Sequence, residues 1–190
     1  MDHSRETIRL IDALDRELNA DEVEADPIMA LTRELGQPAQ AAAAPVVRER
    51  LALAVRGERP YSYDRDVWAE VLAGMVGILA LPDLLDAGTV DLGDDRDGFY
   101  AVTWELLDSA PDAAAGFLIE AAGAPDPRLR HEALYLATFL PPRQGPLLDA
   151  LIAGLGDPDA EVGERVRFCV EGSGWQELPE VRSRLGSEAP

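Results

Sequence analysis

His131 with its neighbour Glu132, the aspartates Asp91, Asp94, Asp95 and Asp97, and the one thiol, Cys169, are the residues of this chain whose types carry chemistry. An imidazole beside a carboxylate is a metal-ligating pair, but a centre built from such pairs needs several imidazoles, and the only other histidine is His3. The aspartate run matches a calcium loop only in part. With Gly98 as the turn glycine, the first loop position is Gly93 and the twelfth is Trp104, and neither supplies a carboxylate. The run therefore reads as a solvated acidic loop or a capping surface. Cys169 falls on the apolar side of its segment with Val162, Val166 and Val170, the setting of a core thiol rather than of an activated one. No serine stands in a Gly-x-Ser-x-Gly elbow, and Gly172-Ser173-Gly174 is a turn.

What is missing narrows the chemistry further. All 17 basic residues are arginine, so Schiff-base catalysis, a phosphate-loop lysine and a lysine general base are excluded. One cysteine cannot form an internal disulfide, and the fold must rest on packing. With 36 acidic side chains the formal net charge is −19, which repels nucleic acid and anionic membranes and suits either solubility in a salty medium or a basic partner. Residues 1–20 carry Asp2, Glu6, Asp12, Asp15 and Glu17, unlike a signal peptide, and the longest apolar run, Val71 to Leu81, is shorter than the roughly 20 residues of a membrane span. A cytoplasmic protein is expected.

The elements that must position these residues are helices. The chain is 47% hydrophobic but only 6% aromatic, rich in Leu and Ala, and has no sustained alternation of strand type. Ile8, Ile11, Leu14 and Leu18 mark a first helix over about Ser4 to Asn19. Asp26-Pro27 reads as the capped start of a second that ends near Gly36. A third follows Ala41 to Pro45 and ends near Gly57, and a fourth runs from Asp64 to Leu81. Gly74 and Gly77 within the fourth predict a close approach by a neighbouring helix. Tyr63 and Trp68 have the spacing of a hydrophobic staple around an Asp64 cap, which leaves Tyr61 as a contact candidate. Residues 82–98 read as a long acidic loop between an N-terminal helical segment, 1–81, and a repeat region, 99–190.

The strongest signal lies in that second half. Gly123, Pro125, Asp126 and Leu129 recur as Gly156, Pro158, Asp159 and Val162, a period of 33 residues. Ala133, Tyr135 and Ala137 then fall opposite Val166, Phe168 and Val170, and Leu118-Ile119 opposite Leu151-Ile152. Each unit would be a helix pair that buries its apolar stripe only by stacking on the next.

The segment APDPRLRHEALYLATFL resembles the opening of a HEAT repeat: an Asp-Pro turn, an apolar residue, an arginine and then a small residue, matched by Leu129, Arg130 and Ala133. The following copy has Gly163 and Val166 at the arginine and small positions and is degenerate; the likeness spans about residues 111–185. The resemblance implies an all-α, right-handed solenoid of stacked antiparallel helix pairs of the HEAT or armadillo type. Within that group, His131-Glu132 is similar to the His-Glu element of deoxyhypusine hydroxylase, but the chain lacks the further imidazoles of that iron centre. HEAT-like DNA glycosylases are basic clamps, whereas this chain is acidic. Asp94-Asp95-Arg96-Asp97 weakly resembles the aspartate-rich element of isoprenoid synthases, without a second metal motif and in too short a chain.

The resulting expectation is a non-catalytic scaffold or adaptor, without cofactor or metal, that grips a protein partner on a concave acidic face. A basic partner would suit that face, and no oligomeric state is implied. Asp112, Glu120, Asp149 and Glu180, which lie off the apolar stripes of the second helices, and Tyr61 are the candidate contacts. Two alternatives remain open: an inhibitor or immunity protein that neutralises a basic enzyme, and a HEAT-fold enzyme or lyase acting on a small molecule or nucleic acid.

Overall fold

The computed structural model describes residues 3–57, 64–93 and 96–186, and every regular element among them is a helix. In chain order these are α1 (His3–Leu18), α2 (Ala25–Leu35), α3 (Ala44–Val55), α4 (Asp64–Val76), α5 (Leu81–Gly88), α6 (Arg96–Ser109), α7 (Pro111–Ala122), α8 (Pro127–Ala137), α9 (Pro146–Gly154), α10 (Ala160–Glu171) and α11 (Pro179–Gly186). Short 3₁₀ turns lie at Pro38–Ala43, Gly77–Ala80 and Gly174–Glu177. The chain forms two compact units that divide after Leu106, within α6.

In the first unit α1 buries Ile11, Leu14 and Leu18, while Ile8 is exposed and Thr7 is buried in its place, its hydroxyl donating to the Gln40 amide oxygen. The buried stripe is thus rotated by one residue at its N-terminal end. Arg50 pairs with Asp15 at 2.6 Å and ties α3 to α1, and Arg48 pairs with Asp83 at 2.8 Å and ties α3 to α5. Asp26 does not cap α2. The cap position is Glu24, without a side-chain hydrogen bond, and Asp26 lies in the first turn, where its charge still favours the exposed amides.

The two glycines of α4 have different reasons. A Cβ on Gly74 would lie 2.3 Å from the Gly36 carbonyl oxygen, so the helix touches the backbone at the end of α2, as the sequence predicts. Gly77 has open space around it and a φ of +58°, a left-handed turn that ends α4.

The segment expected to be a loop at 82–98 is mostly helix. Pro82 occupies the first turn of α5, where its missing N–H costs nothing, and Leu84, Leu85 and Ala87 are buried. Only 89–92 among the described residues of that segment lies outside a helix or 3₁₀ turn; Arg65 steadies it by donating to the Asp91 carbonyl at 2.7 Å. Because α4, the 3₁₀ turn and α5 follow without a break, Asp64–Gly88 forms a helical run of 25 residues that by length and composition alone could cross a bilayer, which the count of uninterrupted apolar residues had not disclosed. Its left-handed Gly77 divides it, and Trp68, Leu72, Leu81 and Leu84 pack inside the unit.

In the second unit α7 packs on α8 and α9, α8 on α9 and α10, and α9 on α10 and α11. The two repeat turns have the same local chemistry. The Asp126 carboxylate caps α8 by accepting from the Arg128 amide at 2.9 Å, and Asp159 caps α10 by accepting from the Glu161 amide at 3.0 Å. Arg130 then crosses from α8 to the next turn. Its guanidinium donates to both Asp157 oxygens at 2.8 and 2.7 Å and to the Ala124 and Pro125 carbonyls at 3.0 Å. Asp157 also accepts from the Asp159 amide at 2.8 Å. Farther along, the buried Trp175 indole donates to the Leu140 carbonyl at 2.9 Å.

The side-chain hydrogen bond from Arg130 holds the Asp157 carboxyl below its ordinary value of 3.8, against the opposing effect of burial. A folded-state value below the unfolded one means that the contribution is complete above the ordinary value and is lost as pH falls through the folded one. Asp157→Asn is expected to lower stability by roughly 1–3 kcal/mol near neutral pH, and the gap from wild type should close as the medium is acidified below 3.8. Denaturant unfolding at the two conditions checks this, and a gap independent of pH would show that charge is not its source. Gly74→Ala is expected to cost about 1–3 kcal/mol or more through overpacking against the α2 terminus, read by the same unfolding assay, whereas an unchanged midpoint would contradict the backbone contact.

Candidate functional site

Three of the candidate carboxylates lie in equivalent places. Asp112, Asp149 and Glu180 occupy the first turns of α7, α9 and α11, each opened by a proline, at Pro111, Pro146 and Pro179. Proline suits the first helical position and an acid in the first turn is stabilised by the free amides, so local helix chemistry accounts for both residue types. Pro146 and Pro179 are themselves 33 residues apart, in the register of the repeat turns, a signal in the sequence that the apolar stripes obscured.

One loop joins these turns. Arg143 pairs with Asp112 and donates to the Pro111 carbonyl at 3.3 Å, and the adjacent Gln144 amide donates to Glu180 at 3.4 Å. The segment just before α9 therefore touches the starts of both α7 and α11, and the three helices begin at one edge of the unit. Asp149 is exposed beside it, in the first turn of α9. Glu120 is not part of this group: it lies in the last turn of α7, eight residues from Asp112, or about 12 Å along the axis. Tyr61, and the Tyr63 of the expected staple, lie outside the described residues, as do Asp94 and Asp95.

The other chemical candidates are placed as follows. His131 is half-buried and stacks on Tyr135 at 6.4 Å; burial, and then the Arg165 charge, push its pKa below the ordinary value. Glu132, on α8, is buried at 2% exposure, although its position in a polar run gave no sign of this. Cys169 is only half-buried; burial raises its thiol pKa above 9.0, which keeps it protonated and unreactive at neutral pH. Asp91 uses its carboxylate on the Gly93 amide at 3.0 Å, a local turn. Among the described residues no group of three or more His, Cys, Asp or Glu side chains stands close enough to hold a metal ion.

A group of aromatic side chains on and beside α8 and α10 is not foreseen by the sequence. His131 and Tyr135 lie one turn apart on α8 and Phe139 follows four residues later, just past the helix end, with the Tyr135 and Phe139 rings edge to face at 5.1 Å. On α10, Phe168 is 79% exposed, the highest value among the described large apolar side chains. Tyr135 and Phe168 are equivalent in the 33-residue register, and the pairing was visible in the sequence, but the exposure of Phe168 was not. Comparison of the chain with protein families, curated proteins and solved structures finds no match.

His131 is expected to titrate below 6.5 in the folded protein, because burial disfavours its cation. Its folded value lies below the unfolded one, so the native state loses stability as pH falls from above 6.5 towards the folded value. An NMR titration of the imidazole protons checks this, and a midpoint at or above 6.5 would contradict the burial described here.

Proposed function

We propose that this chain is a non-catalytic interaction module, a scaffold or adaptor of the HEAT type, that holds a basic protein partner along the edge where α7, α9 and α11 begin. The observation that supports the reading is the loop at Arg143 and Gln144, which lies just before α9 and meets the first turns of α7 and α11, the turns that carry Asp112 and Glu180. The stacked-pair arrangement is supported by the 33-residue register, by the matching Asp126 and Asp159 caps, and by the packing of α8 on α10 and of α9 on α7 and α11. The basic character of the partner follows from the surplus of acid: a face of one sign steers and selects its opposite. Glu120 drops out of the proposed contact by its place at the far end of α7.

An inhibitor that covers a basic enzyme is the second form of the same reading, favoured by the net charge of −19. It differs in giving a tight one-to-one complex rather than a bridged assembly.

The test begins with recovery of the partner that copurifies with the full chain, identified by mass spectrometry, and continues by calorimetry. The double substitution Asp149→Arg with Glu180→Arg is expected to weaken binding roughly three- to thirtyfold, as two rim charges reversed would, and to flatten its dependence on salt. Equal affinity of wild type and variant would remove this edge from the interface.

A further inference from the structure

A second surface of the same unit has chemistry that the carboxylate edge does not use. α8 packs on α10; α8 carries the half-buried His131 and Tyr135 and is followed by the exposed Phe139, and α10 carries the exposed Phe168. An isolated exposed apolar residue is ordinary, but Tyr135 and Phe168 stand at register-equivalent positions of two packed helices. Phe168 is the least covered of them and has a particular setting. Glu164 lies four residues before it and Glu171 three residues after it, both exposed and both on its face of α10. Two cations of α10 stand near: Arg165 pairs with Glu161 at 2.7 Å, and Arg167 donates to the Leu185 carbonyl at 3.1 Å.

We propose that Phe168, flanked by Glu164 and Glu171, is a seat for an arginine or lysine side chain of a partner protein, and that Tyr135 and Phe139 receive the apolar residues next to it. The face of an aromatic ring attracts a cation, and a carboxylate on either side neutralises that cation as it leaves water. His131 does not oppose this, since burial keeps it uncharged at neutral pH. The ligand is thus a segment in which basic and large apolar residues alternate at helical spacing. Glu164 and Glu171 disfavour an acidic segment, and the net charge of −19 disfavours a second copy of this chain. The proposal concerns other helices than the carboxylate edge, and either can fail without the other.

The probe is a synthetic amphipathic peptide of alternating leucine and arginine at helical spacing, titrated into the full chain and followed by aromatic and backbone NMR shifts, with a matched peptide carrying glutamate for arginine. The arginine peptide is expected to move the Phe168, Tyr135 and Phe139 signals. Phe168→Ala should weaken it roughly three- to tenfold, the scale of one partly exposed cation–π contact, and Glu164→Gln with Glu171→Gln should weaken it while leaving helix content unchanged by circular dichroism. Asp149→Arg with Glu180→Arg should leave these ring shifts in place. The proposal is overturned by absent ring shifts, by shifts confined to the starts of α7, α9 and α11, by equal binding of the glutamate peptide, or by undiminished binding in folded Phe168→Ala. Ring shifts that grow with protein concentration in the absence of peptide, with a dimer in sedimentation, would also overturn it in favour of self-association.

Discussion

The second unit depends on the way Arg130 bridges two turns. Its guanidinium lies between the carbonyls that close the turn before α8 and the carboxylate that organises the turn before α10, so one planar group meets four acceptors. Only arginine offers donors in that fixed fork; a lysine would reach one acceptor as a point charge. With 14% and 6% of the two side chains exposed, the pair is shielded enough from water to matter and open enough to avoid a severe desolvation cost. The pair fixes the offset between α8 and α10, and that offset decides which side chains of the two helices point inward together and which point out.

The same economy of cations runs through the chain. Arg48, Arg50, Arg143, Arg165 and Arg182 each meet a carboxylate, several of them across helices, and so the few positive charges are spent at contacts between elements. The surplus of acid is left on the surface. Part of it gathers at helix starts, where free amides favour it, and part lines α10, where it borders an exposed ring. Both surfaces proposed for binding are therefore consequences of where the arginines are used.

Legibility varied with the range of the interaction that decides each feature. The capped turns at Asp126 and Asp159 could be read directly, because capping involves residues two or three apart. Gly74 could be read in part: a glycine inside a helix implies a neighbour, though not that the neighbour is the backbone of Gly36. Gly77 looked the same in the sequence and serves a left-handed turn instead, a difference set by chain direction and not by residue type. Residues 82–88 were misjudged because Pro82, Asp83, Asp86 and Gly88 resemble loop composition, whereas the burial of Leu84 and Leu85 makes the segment a helix. Of the candidate contacts, Asp112, Asp149 and Glu180 lie at helix starts and Glu120 at a helix end, since distance from an apolar stripe gives a residue's face but not its end of the helix.

The amino-acid sequence by itself determined the helical class, the 33-residue register of the second half and the chemical limits set by an arginine-only, one-cysteine, strongly acidic composition. These follow from local propensity, periodicity and counting, which need no partner element. Tertiary structure alone decided that Glu132 is buried while Phe168 is exposed, that Arg143 and Gln144 connect three helix starts, and that a run with a proline and two aspartates folds as α5. Each of these depends on which surface a distant segment covers, and burial is a property of the pair of surfaces rather than of either one.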